Sequence, residues 1–251
     1  MDQIDQNRFQ SMAYAYDQMA PHLVPFYDFL QDRAIDALQL PGNHPTVVID
    51  LGAGSGRLLE KILQRDATAT GVWVDSSDAF RDVAERRLAR FGSRVHWVLN
   101  SLENSWQDAL PGPPNGIVSM SAIHHLTDLE KRELYTRCFE VLDDDGVFVN
   151  MDEMKSISQE AYVASLHYWG RHVETACRNP AVGNRPEAKL WVGHFDRWRE
   201  RNITNIDVPK QKGDDLHATF SEQLNWLAEA GFRDTDLFAK VQLWCGIVGR
   251  K

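Results

Sequence analysis

The residues best suited to chemistry lie in the segment Asp50-Leu51-Gly52-Ala53-Gly54-Ser55-Gly56. It follows Val47, Val48 and Ile49, whose β-branched side chains favour a strand, and a helical pattern begins at Arg57. Glycine adopts positive φ at little cost and lets a ligand approach the backbone closely. The first N–H groups of the helix then point at whatever lies over the loop. The segment therefore predicts a strand, a ligand-binding turn and a helix.

A carboxylate at the end of the next predicted strand is the second candidate. The segment 70–75 reads as a strand that ends at Asp75, followed by Ser76. Nucleotide-binding α/β units place a ribose-binding carboxylate about 20 residues beyond the glycines. A carboxylate accepts strong hydrogen bonds from two hydroxyls, so we assign Asp75 to a ribose and Ser76 to an added hydroxyl contact. The alternative is an acid that caps the following helix.

The glycine spacing distinguishes two kinds of nucleotide site. A dinucleotide fingerprint, Gly-x-Gly-x-x-Gly, needs a glycine at the position of Arg57. Here the third glycine is Gly56, and Asp-Leu-Gly-Ala-Gly-Ser-Gly resembles the first motif of the class I S-adenosylmethionine (SAM)-dependent methyltransferases. The resemblance implies that Gly52, Gly54 and Gly56, with Ala53 between them, bring the backbone close to the methionine end of SAM. It also implies that Asp50 orients the loop or meets the amino group. The alternative is an ordinary strand-to-helix turn.

Three further segments extend this resemblance, and the end of the fourth strand adds two cofactor residues. Tyr16, within the segment 9–17, is similar to the aromatic residue of an N-terminal lid that covers the cofactor. Asn100-Ser101-Leu102 follows the third strand, and the resemblance implies that residues at this strand end bind the adenine ring of SAM. Family members often use an Asp here; the side-chain carbonyl of an Asn can accept a hydrogen bond from the adenine amine instead. Ser119 and Met120 end the fourth strand and are assigned to the cofactor. The string Ile123-His124-His125-Leu126 resembles the same region of UbiE-like small-molecule methyltransferases.

Two side chains near the expected methyl position are candidates for acting on an acceptor. His125 is a candidate base, because histidine titrates near neutral pH. Glu153 follows the fifth strand and is a candidate for orienting the acceptor or taking its proton. We favour a structural role for His124 and regard His217 as a weaker candidate. No metal-ligand spacing is present in the sequence, so we expect no metal.

The elements that must position these residues alternate between strand and helix. Such alternation with short loops predicts an α/β fold with a doubly wound, mostly parallel sheet, in which ligands bind at the carboxyl ends of the strands. Two antiparallel strands after Gly231 would complete the seven-stranded, Rossmann-like methyltransferase sheet. We expect one methyltransferase domain over 1–251, with an N-terminal helical lid at 1–40 and a helical insertion over the substrate site at 154–218. The aromatic residues of the insertion are equally compatible with core or dimer interface.

Composition limits the partners. The chain has 251 residues, 43% of them hydrophobic, and a net charge of −9, which disfavours a nucleic-acid partner. It has no apolar run of membrane-spanning length and no signal-peptide pattern, and its three scattered cysteines favour a reduced, cytoplasmic protein. We expect a monomer or homodimer without a membrane partner.

The expected activity is SAM-dependent methylation of a small-molecule acceptor at oxygen, nitrogen or carbon, with S-adenosylhomocysteine as the product. The alternatives are a SAM-binding enzyme of this fold with non-methyl chemistry and a non-catalytic binding protein. An RNA methyltransferase is disfavoured by the charge and by Ser119-Met120-Ser121-Ala122, where base-modifying relatives tend to carry Asn-Pro-Pro-Tyr.

Overall fold

A seven-stranded sheet forms the centre of the computed structural model, which describes residues 3–40 and 44–251. Residues 1 and 2 of the expected N-terminal lid therefore lie outside the described residues. In chain order the strands are β1 Thr46–Leu51, β2 Ala69–Asp75, β3 Val95–Leu99, β4 Gly116–Met120, β5 Val147–Glu153, β6 Arg233–Val241 and β7 Trp244–Arg250. They are arranged β3-β2-β1-β4-β5-β7-β6, with β1 to β5 parallel and β7 antiparallel to both β5 and β6. The predicted fold class is confirmed.

The central strand β1 explains where the site lies. Val48, Ile49 and Leu51 of β1 have no solvent exposure, as expected for a parallel strand covered on both faces. Asp50 interrupts this run with a side chain that is also buried. A buried carboxylate at a strand end is costly unless a partner compensates it, so its position marks the site.

Helices cover both faces of the sheet. They are α1 Gln3–Leu23, α2 Tyr27–Leu38, α3 Arg57–Arg65, α4 Asp78–Leu88, α5 Asp128–Val141, α6 Gln159–Arg178, α7 Pro180–Gly183, α8 Pro186–Arg199 and α9 Phe220–Ala230. A short 3₁₀ turn, Ile123–His125, follows β4. A capping box, Thr127 with Glu130, begins α5, and Gly231 ends α9 with a φ of 110°.

Pro21 lies inside α1 and does not end it, although proline usually breaks a helix. A proline at this position cannot donate to the carbonyl of Asp17, four residues earlier. Arg57 donates to that carbonyl instead, from Nη2 at 2.8 Å and from Nε at 3.2 Å. A side chain from α3 therefore supplies the hydrogen bond that Pro21 omits.

The segment between β5 and α9 carries α6, α7 and α8, and most of its aromatic side chains belong to the core. Trp169 contacts Trp191, Phe195, Trp198 and Trp244 with ring centroids 4.3–6.3 Å apart. All five are buried and belong to the core cluster that packs α1 and α2 against the sheet. Within the described residues, no helix combines the length and apolar character that a bilayer span requires.

Candidate active site

A cavity of about 590 Å³ opens over the carboxyl ends of β1, β2 and β4. This is the size of a small-molecule site and the position expected in an open α/β sheet. Ten residues assigned to the cofactor from sequence line it: Tyr16, Asp50, Gly52, Ala53, Gly54, Asp75, Ser76, Ser101, Leu102 and Met120. The fold thus brings together side chains that lie up to 104 positions apart in the sequence.

The three glycines of the loop have left-handed φ values of 68°, 50° and 75°, but different surroundings. A Cβ on Gly52 would lie 2.3 Å from the Cβ of Ala122, and one on Gly56 would lie 3.0 Å from Leu88. Among the described residues, a Cβ on Gly54 would meet no atom closer than 3.9 Å. Gly52 and Gly56 therefore permit close packing of the chain on itself, whereas Gly54 leaves room for a ligand.

Asp75 holds the glycine loop in place. Its Oδ2 accepts a hydrogen bond from the Gly54 N–H at 2.9 Å, and its Oδ1 accepts one from the Ser77 N–H at 2.9 Å. Burial raises the pKa of Asp75 even though these backbone hydrogen bonds lower it. The carboxylate predicted to bind a ribose thus also fixes the turn.

Two buried oxygen atoms at the cavity accept no hydrogen bond from the described residues, so a ligand that fits the cavity should supply donors to them. Oδ2 of Asp50 and Oε1 of Gln31 have no partner among the described residues, and both side chains border the cavity. Burial, followed by repulsion from Asp75, raises the pKa of Asp50 to about 8. The ammonium group of the methionine part of SAM is a donor and a cation, so it suits these orphan oxygens. The residues present fit SAM.

Three predicted cofactor residues do not line the cavity. Asn100 is half-buried, and its Oδ1 accepts from the Ser101 N–H at 2.9 Å, within its own loop. Ser119 is fully buried and donates from Oγ to the carbonyl of Leu51 at 2.8 Å, so it joins β4 to β1. Gly56 packs against α4, as described above.

His124 is buried against a carboxylate. Its Nδ1 lies 2.6 Å from Asp152 Oδ1, and its backbone N–H donates to Asp152 Oδ2 at 2.8 Å. Burial alone would lower the pKa of His124, but the charges of Asp152 and Glu153 raise it to about 10. These two contacts hold His124 against β5.

His125, the candidate base, borders the cavity. Its Nδ1 lies 3.4 Å from Oδ1 of Asp215, and 58% of its side chain is exposed. The neighbouring charge on His124, followed by burial, lowers the pKa of His125 to about 4, so the imidazole is neutral at pH 7. Sequence reasoning missed Asp215, because it lies 90 positions after His125 in a segment without a recognisable motif.

Glu153, the other predicted catalytic residue, is buried and does not line the cavity. Its Oε2 lies 3.3 Å from Nε2 of His217, whose Nδ1 lies 2.8 Å from the hydroxyl of Tyr162. Burial, followed by the negative charges of Glu153 and Asp152, raises the pKa of Tyr16. Glu153 is therefore close enough to influence a tyrosine on the cavity wall. The weaker candidate His217 is its nearest imidazole.

Four further residues that were not assigned to the cofactor or to catalysis also border the cavity. Gln31 of α2, Phe80 of α4, and Trp191 and His194 of α8 line the cavity. Trp191 Nε1 is a buried donor without a partner among the described residues. These residues lie on helices whose periodicity indicated only which faces are buried.

Comparison with known proteins assigns the chain to a family. A family model described as "Methyltransferase domain" matches residues 48–146. An uncharacterized methyltransferase of Bacillus licheniformis is 33% identical over 163 residues, which cover 63% of this chain and 71% of that protein.

Solved structures share the fold. An O-methyltransferase family protein from Burkholderia thailandensis superposes with a TM-score of 0.60 at 15% identity, covering 90% of this chain and 57% of that chain. Human N-acetylserotonin methyltransferase in complex with SAM has a TM-score of 0.55 at 14% identity, covering 88% and 51%. This chain thus spans little more than half the length of these solved structures. These structures show the fold, and the Bacillus licheniformis relative, with 71% of its length covered, shows that the chain belongs to the class I SAM-dependent methyltransferase family.

Proposed function

We propose that this protein transfers the methyl group of SAM to a small-molecule acceptor at oxygen, nitrogen or carbon. The observation that carries the proposal is the cavity over Gly54, with the carboxylates of Asp50 and Asp75 on its wall. When bound, SAM supplies a methyl carbon on a positively charged sulfur, which an acceptor attacks in line. The protein must then align the acceptor and exclude water.

Individual residues are assigned to parts of SAM. Asp50 and Gln31 receive the ammonium group, the open backbone at Gly54 lies against the methionine chain, and Asp75 accepts from the ribose hydroxyls. Ser101 and Leu102 border the adenine, since they line the cavity and Asn100 does not.

The acceptor end of the cavity is assigned to the side where His125 and Trp191 lie. The neutral imidazole of His125 can accept a hydrogen bond from the acceptor, and Trp191 Nε1 is free to donate one. Glu153 acts on the orientation of the acceptor indirectly, through its electrostatic influence on Tyr16 of the cavity wall. We further propose that α1 and the helices of 154–218 close over the bound pair as a lid. A cytoplasmic location is supported only by the three free cysteines.

Isothermal titration with SAM, followed by mass analysis of the nucleoside product, tests the proposal. We expect saturable binding of one SAM per chain and formation of S-adenosylhomocysteine when a mixture of small hydroxyl, amine and thiol compounds is supplied. Absence of SAM binding would support a non-catalytic protein and overturn the proposal. A nucleoside product of another mass would indicate non-methyl chemistry on the same fold.

A further inference from the structure

Three potential metal ligands from two distant segments converge beside the cavity. His124 and His125 belong to the turn after β4, and Asp215 belongs to the connection between α8 and α9. Oδ1 of Asp215 lies 3.7 Å from Nε2 of His124 and 3.4 Å from Nδ1 of His125, and the three atoms all lie within 4.8 Å of one another. Two imidazole nitrogens and a carboxylate oxygen thus face a common point.

These separations suit a tetrahedral metal ion. Zinc binds imidazole nitrogen and carboxylate oxygen at about 2.0–2.2 Å, which places tetrahedral ligand atoms about 3.4 Å apart. The two separations from Asp215 are within a few tenths of an ångström of this value, and the two imidazole nitrogens lie within 4.8 Å of each other. A cation could therefore enter the cluster with small side-chain shifts.

The outer contacts of two of these ligands are already formed. Nδ1 of His124 lies 2.6 Å from Oδ1 of Asp152, so it is held by a carboxylate on the side away from the cluster. Oδ2 of Asp215 accepts from Nδ2 of Asn202 at 2.9 Å. Both outer partners are about 1% exposed. Carboxylates and amides behind metal ligands fix the imidazole tautomer and the ligand orientation, and simple ion pairs do not require them.

The charge around the cluster favours a cation. Asp152, Glu153 and Asp215 are acidic side chains with little exposure, and they adjoin the imidazoles of His124 and His217. In the metal-free protein a proton on Nε2 of His124 would face Asp215. A divalent ion would take the place of that proton and leave the hydrogen bond to Asp152 intact.

We propose that His124 Nε2, His125 Nδ1 and Asp215 Oδ1 bind a divalent transition-metal ion of the zinc type. Two imidazole ligands favour such an ion over Mg²⁺ and Ca²⁺, which prefer oxygen. Three protein ligands leave a fourth position, and the exposure of His125 to the cavity directs that position toward the acceptor.

The fourth position of the metal can bind the hydroxyl or thiol group of an acceptor. This part of the inference rests on the proposed methyl transfer. Coordination lowers the pKa of such a group, so its proton leaves to solvent. The acceptor lone pair then forms the bond to the methyl carbon while the bond from that carbon to sulfur breaks. The electron pair stays on sulfur and gives S-adenosylhomocysteine. In the metal-bound protein, His125 acts on the acceptor through the metal ion that it binds.

The binding test uses the full chain, stripped with a chelator and free of any histidine tag, titrated with Zn²⁺ and with Mg²⁺ by calorimetry. We expect one Zn²⁺ per chain and no comparable binding of Mg²⁺. His125→Ala and Asp215→Asn should each weaken Zn²⁺ binding by at least 10- to 100-fold, whereas His96→Ala, an exposed histidine on β3, should not. No stoichiometric Zn²⁺ binding, or equal affinity in all three variants, would overturn the site.

Two further readouts separate this inference from the proposed function. SAM binding to the stripped protein is measured independently, so a failed metal titration with intact SAM binding removes only the metal site. The open position is tested with Co²⁺ in place of Zn²⁺ and benzenethiol as the probe. A new sulfur-to-cobalt absorption band is expected. Its absence would show that the fourth position is closed to an acceptor.

Discussion

The guanidinium group of Arg57, in the first turn of α3, binds both the side-chain carboxylate and the backbone carbonyl of Asp17 in α1. Nε of Arg57 lies 2.9 Å from Asp17 Oδ1, and the same guanidinium donates to the carbonyl that Pro21 leaves free. Arg87 of α4 adds a second ion pair to Oδ1 at 2.7 Å. Arg57 and the neighbouring Tyr16 both line the cavity. The ion network that docks α1 is therefore part of the wall of the proposed SAM site.

Asp17→Ala should lower the free energy of unfolding by about 3 kcal/mol, because Arg57 loses its carboxylate and Arg87, which also pairs with Glu60, loses one of two. It should also weaken SAM binding, since the position of Tyr16 depends on α1. Asp28→Ala is the matched control: Asp28 of α2 pairs with Lys61 of α3 at 2.9 Å, but its side chain is 75% exposed, so about 0–1 kcal/mol is expected. Urea denaturation of both variants provides the comparison. Similar losses in the two would contradict a special role for the Asp17 network.

Two glycines of the same loop should respond differently to alanine. Gly52→Ala places a Cβ 2.3 Å from Ala122 and should destabilise the protein even without ligand, by more than about 2 kcal/mol. Gly54→Ala meets no protein atom within 3.9 Å, so it should cost only about 1 kcal/mol of backbone strain while reducing SAM affinity at least 10-fold. Thermal unfolding and SAM titration separate the two effects. A Gly54→Ala variant that binds SAM normally would place the cofactor elsewhere.

Much of the fold and part of the site could be predicted because their signals are local. The alternation that produced β1 to β5, the capping box at Thr127 and the helix end at Gly231 each depend on neighbouring residues. Asn100 and Ser119 were assigned to the cofactor because they end strands, but strand position does not decide which way a side chain turns. Asp215 depends on a long-range contact with His125, and no local pattern indicates such a contact.

Asp75→Ala should weaken SAM binding at least 10-fold and also lower the free energy of unfolding by about 1–3 kcal/mol. The second effect is expected because the backbone N–H groups of Gly54 and Ser77 lose their acceptor. Asp78→Ala, at an exposed position in the first turn of α4, serves as the control and should change SAM affinity little. Calorimetric titration and urea denaturation measure the two quantities. Unchanged SAM affinity in Asp75→Ala would remove this carboxylate from the ribose assignment.

The raised pKa of Asp50 predicts how stability without ligand depends on pH. A carboxyl whose pKa rises from 3.8 to about 8 on folding contributes most stability below its unfolded pKa. That contribution is lost as pH increases from about 4 through 8. Asp50→Asn stays neutral, so its melting temperature should exceed that of the wild type at pH 9 by several degrees more than at pH 5. A pH-independent difference between the two proteins would contradict a buried, proton-retaining Asp50.

SAM binding should release a proton from Asp50. At pH 6.5 a carboxyl with a pKa of about 8 is mostly protonated in the free protein, whereas the ammonium group and sulfonium of bound SAM favour the carboxylate. SAM binding therefore lowers the pKa of Asp50 below the solution pH. The number of protons released should be close to one per chain. Titrations in two buffers with different ionisation enthalpies measure that number directly. Asp50→Asn should bind SAM more weakly and release no proton. Release that persists in Asp50→Asn would have to come from another group and would argue against the contact between Asp50 and the SAM ammonium.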